Sequence, residues 1–99
     1  KINSNALDYV MVNKYGLQQS RLAKFKNAYN GYAINSYKIF SNKKLTDSDK
    51  YAQLKQLSEQ FVKKVSPLFS EANLKKWKGW WEYDFQRKMK RKGFVNTQN

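Results

Sequence analysis

The chain has 99 residues, enough for one domain with a modest core. It contains neither cysteine nor histidine, which excludes disulfides and thiolate metal sites and removes the commonest general base. Its net charge of +13, from 20 basic and 7 acidic side chains, favours anionic partners, whereas 16% aromatic residues argue against a disordered chain.

Glycine and proline are scarce, and apolar residues recur at helical spacing throughout. The pattern predicts an all-α fold of three to four helices, a long helical hairpin or a small bundle. One domain would span residues 1–99, frayed at 1–3 and 94–99. Ser4 or Asn5 caps a first helix carrying Leu7, Tyr9, Val10 and Met11, and Gly16 ends it in the left-handed conformation. A second helix runs from about Gln19 to Ser41, with the stripe Leu22, Phe25, Tyr29, Tyr32, Ala33, Tyr37 and Phe40. The connection KKLTDSDK leads to a third helix, capped by Thr46 or Asp47, with Asp49 in its first turn. Its apolar residues are Tyr51, Leu54, Leu57, Phe61, Val62 and Val65, and Pro67 breaks it. Ser70 caps a fourth helix with the stripe Leu74, Trp77, Trp81, Phe85 and Met89, which Gly93 ends.

One stretch occurs twice. LQQSRLAKFKNAY, from Leu17 to Tyr29, aligns with FSEANLKKWKGWW, from Phe69 to Trp81, at an offset of 52 residues. Leu17 pairs with Phe69, Leu22 with Leu74, Phe25 with Trp77 and Tyr29 with Trp81, while Lys24 and Lys26 fall on Lys76 and Lys78. Each copy reads as a helix start, with Leu17 or Phe69 packing back on the first turn as a hydrophobic staple. The two stretches are expected to build equivalent corners. Trp77 and Trp81 should be buried, and Trp80 should be the most exposed tryptophan.

At these corners the chain resembles the Spy/CpxP family of periplasmic helical proteins, whose two LTxxQ motifs each open a helix. The first motif would be Leu17-Gln18-Gln19-Ser20-Arg21, with Gln18 in place of threonine and Arg21 in place of glutamine. The second would be Phe69-Ser70-Glu71-Ala72-Asn73, with Phe69 for leucine, Ser70 for threonine and Asn73 for glutamine. The resemblance covers roughly residues 7–90. It implies a curved helical hairpin with a basic concave face, often an antiparallel homodimer, acting as an ATP-independent chaperone or envelope-stress sensor. It also implies a periplasmic or secreted location, and a lost signal peptide would explain a chain that begins at Lys1.

The seven acids offer no evident acid/base or metal pair: Glu82 and Asp84 stand two apart on a helix and do not face each other. No enzyme activity and no cofactor are therefore expected. The aromatic run Trp77–Phe85 is too wide for one stripe. Its edge, with neighbouring cations, supplies the expected client-binding residues Lys76, Lys78, Trp80, Tyr83 and Arg87, which would hold unfolded or acidic protein clients by charge and cation–π contact. The dense cluster RKMKRK at 87–92 suits a helix C-terminus, and at low salt it would also attract nucleic acid or anionic lipid without specificity. No transmembrane segment is expected, because no apolar run approaches the roughly 18–20 residues of a membrane span. The alternatives to a chaperone-like protein are a cytoplasmic nucleic-acid-binding protein and a structural subunit that oligomerises through its aromatic faces.

Overall fold

The computed structural model describes residues 4–94. Residues 1–3 and 95–99, expected to fray, lie outside the described residues, as do the side chains of Ser4 and Asn5, the expected first caps. Among the described residues the fold is all-α. Its helices are α1 (Ser4–Tyr9), α2 (Gln19–Phe40), α3 (Asp47–Val65) and α4 (Glu71–Arg91). A wide π-turn, Val10–Lys14, extends α1, and a 3-10 turn, Ser66–Leu68, joins α3 to α4. No helix among the described residues is long and apolar enough to cross a membrane.

The boundaries follow from local chemistry. Gly16 has φ 65°, a left-handed turn that glycine adopts without strain, and the chain reverses there into α2. Thr46 forms a capping box: its hydroxyl accepts the Asp49 N–H at 3.0 Å, and the Asp49 carboxylate accepts the Thr46 N–H at 3.3 Å. Pro67 ends α3 within the 3-10 turn. Ser70 Oγ accepts the Asn73 N–H at 3.3 Å and starts α4. The last helix ends in a Schellman motif, with Gly93 at φ 79°. There Phe94 N–H donates to Met89 O and Gly93 N–H to Lys90 O, both at 3.0 Å. Phe94 was expected in the frayed tail. It is instead half-buried against Leu54, Phe85 and Met89, because this motif folds the chain back over the helix end.

Helices α2 and α3 form an antiparallel hairpin with the closest interhelical backbone packing in the molecule. Helix α4 joins them mainly through large side chains. One cluster holds Met11, Tyr15, Leu17, Phe25, Phe61, Val62, Val65, Phe69, Trp77 and Trp81, and a smaller one holds Leu54, Phe85 and Met89. The radius of gyration is 14.4 Å, against about 13 Å for an ordinary domain of this length. The excess reflects an elongated body of 40 × 28 × 23 Å.

Exposure of its second half corrects the expected α2 stripe. Its first half is inside, with Phe25 at 2% exposure, whereas Tyr37 is 67% exposed and Phe40 38%. Ala33 is exposed as well. The apolar period is continuous, but its second half borders a cleft between α2 and α4, which Lys92 and Phe94 close at the end by meeting Phe40.

Candidate functional site

The two corners meet. Gln18 and Ser70 occupy the same position before their helices, with φ, ψ of −65°, 141° and −66°, 160°. Leu17 and Phe69 are both buried, and Leu22 and Leu74 pack on the same cluster, as the staple requires. Counterparts also touch each other: the Phe25 and Trp77 rings are 5.8 Å apart, and those of Tyr29 and Trp81 6.4 Å, both edge to face. Arg21 donates from Nη1 to the Leu68 carbonyl at 3.0 Å, so a residue of the first corner ties down the segment leading into the second. In the reverse direction Asn73 lies against Gly16; a Cβ on that glycine would stand 2.3 Å from Asn73 Nδ2. Of the expected capping residues, Gln18 fails: its side chain makes no cap hydrogen bond. A glutamine amide is one methylene too long for the short return reach of serine or aspartate. Arg21 and Asn73 serve the opposite corner, a pairing invisible in linear spacing.

The three tryptophans divide as their positions on α4 dictate. Trp77 is 1% exposed and Trp81 9%, while Trp80 is 44% exposed. Trp81 Nε1 donates to Ser58 Oγ at 2.8 Å, which satisfies both buried polar groups. Sequence reading passed over Ser58 as a polar interruption, although it continues the α3 spacing Leu54, Ser58, Phe61, Val65. It also passed over Tyr15, buried and 6.2 Å from the Trp80 ring, which extends the spacing Leu7, Met11, Tyr15.

Lys76, Trp80, Tyr83 and Arg87 follow one another at steps of four, three and four, so they form a single stripe on α4. All four are exposed. Beside the stripe, Val10 and Lys14 of the π-turn share with Trp80 the lining of a cavity of about 190 Å³. Lys78 does not belong there. Two residues on from Lys76, it points to the far side of α4 and lines a polar groove with Lys55, Glu59, Lys63 and Glu82. The five expected client-binding residues therefore split into four on one face and one on another.

Asp84 is the main buried charge, with 7% of its side chain exposed. It binds Arg87 and Lys88, one turn further along α4, with Lys88 Nζ at 3.1 Å. Burial raises its carboxyl pKa, but the hydrogen bonds from Arg87 and Lys88 outweigh burial and leave it below the ordinary value. The pair therefore stays ionised throughout the neutral range. Lys92, from the same basic cluster, lies 4.1 Å over the Phe40 ring. Arg87 and Lys88 are thus paired within α4, and Lys92 reaches from the end of α4 to the Phe40 ring of α2.

These features define a basic all-α protein with paired helix-opening corners and an exposed aromatic–cationic stripe. Comparison with protein-family models, curated protein sequences and solved structures finds no match to the chain.

Proposed function

We propose that the protein is a chaperone-like binding protein that holds acidic or partly unfolded polypeptide segments on the α4 stripe. The observation that carries this reading is the set Lys76, Trp80, Tyr83 and Arg87: two exposed rings on one helical face, with Lys76 at one end and Arg87, paired with Asp84, at the other. Charge draws an acidic segment to the surface, and loose ring contact retains it without a shaped pocket. The Spy/CpxP resemblance fits this role. It is supported by two staples and two matching backbone corners, although the side chains at Gln18 and Arg21 differ from the motif. On this reading the protein is periplasmic or secreted, is exported by a signal peptide, pairs as a homodimer and acts in the envelope stress response.

The test is suppression of aggregation of a destabilised acidic protein by wild type, Trp80→Ala and Lys76→Glu. Suppression that both variants lose supports the stripe. Failure of wild type at every salt concentration rejects the chaperone role and puts an oligomer interface ahead. A sequence-specific nucleic-acid complex that survives physiological salt would also reject it, since contact through charge alone weakens steeply with salt.

A further inference from the structure

We propose that the cleft between the second halves of α2 and α4 binds a single-chain anionic amphiphile, an alkyl carboxylate of modest length. Its chain would lie among the rings and its carboxylate at Lys92. This site is separate from the α4 stripe and does not depend on the client reading.

The cleft encloses about 250 Å³. Leu54, Phe85 and Met89, all buried, form its floor, while Tyr37 and Phe40 stand exposed on its wall. This is the less covered half of the α2 stripe, bounded at its end by Lys92 and Phe94 against Phe40. The volume falls below the roughly 300–1,000 Å³ typical of drug-sized ligand sites. A docked helix, about 10–12 Å across, does not fit. A thin flexible chain does.

The charges select the head group. The one lining carboxylate, Asp84, is already bound by Arg87 and Lys88, so it presents no bare negative charge to a ligand. Lys92 lies over Phe40 with no carboxylate within 4 Å among the described residues. The cleft is therefore apolar inside and cationic at one end, which matches an alkyl carboxylate and repels an alkylammonium.

Calorimetric titration of the full chain, below micellar concentrations, with decanoate and with decyltrimethylammonium tests the site. The expected result is one decanoate per chain and no binding of the cation. Ala33→Trp, which fills the cleft from its exposed wall, abolishes binding while circular dichroism confirms the helices. Lys92→Gln weakens binding roughly three- to fivefold. Lys64→Gln, an equal loss of charge on α3 outside the cleft, leaves it unchanged. Equal binding of both amphiphiles, binding that survives Ala33→Trp in a folded variant, or equal effects of the two lysine variants would each overturn the proposal.

Discussion

The corner at Leu17 and the corner at Phe69 share a backbone but are completed by different chemistry. Both place an extended residue ahead of the helix and a buried apolar residue before that. Only the second has a side-chain cap, from Ser70. The first relies on its staple, and its Arg21 reaches across to the Leu68 carbonyl. The approaches differ as well: a left-handed glycine after a π-turn leads into α2, and a 3-10 turn containing Pro67 leads into α4. What the corners have in common is therefore the apolar register, and the polar finishing is free to vary. The physical reason is magnitude: burying a large ring contributes several times what one exposed cap hydrogen bond does.

The largest test of this equivalence is at the ring pair. Phe25→Ala and Trp77→Ala should each cost about 3–5 kcal/mol in denaturant melts, since each empties a fully enclosed position. A loss below about 1 kcal/mol at either one would break the comparison. Next comes Gly16→Ala. The left-handed backbone alone costs a non-glycine residue about 1–2 kcal/mol, and Asn73 must also move aside. Adding Asn73→Ala should recover the steric part and leave the backbone part, which a double-mutant cycle would separate.

Smaller effects sharpen the difference in capping. Ser70→Ala should lower stability by roughly 0.5–2 kcal/mol and Gln18→Ala by almost nothing, whereas Gln18→Ser should gain about 1 kcal/mol by supplying the missing cap. Equal losses at Ser70 and Gln18 would mean that the corners are capped alike. A further small effect lies in the helix middles. A Cβ at Gly31 or Gly79 meets nothing within 4 Å, so Gly31→Ala and Gly79→Ala should each stabilise by roughly 0.5–1 kcal/mol. Thermal melts that instead fall would point to a need for flexibility outside the corners.

The site was partly legible in advance. The exposure of Trp80 and the burial of Trp77 and Trp81 follow from a helical step of 100° per residue, as does the grouping of Lys76, Trp80, Tyr83 and Arg87. The same step places Lys78 on the opposite side of α4, where it lines a separate groove. The ion pairs of Asp84 with Arg87 and Lys88 also stand at the readable three- and four-residue spacings. The buried Trp81–Ser58 hydrogen bond and the neighbours of Trp80 in the π-turn were not readable, since they join residues distant in the chain.

The sequence by itself determined the helices, their stops and the two matched corners, because capping, glycine conformation and apolar period act within a turn or two of the chain. Only the tertiary structure decided which apolar residues would be covered. Tyr29 and Tyr37 are equally good members of one α2 stripe, yet Tyr29 meets Phe25, Phe61 and Trp81 while Tyr37 stands in the open. Helix α4 separates them. It covers Tyr29 where the large rings of the two corners interlock, whereas a cleft lies between α4 and Tyr37, a difference that the pattern within α2 does not carry.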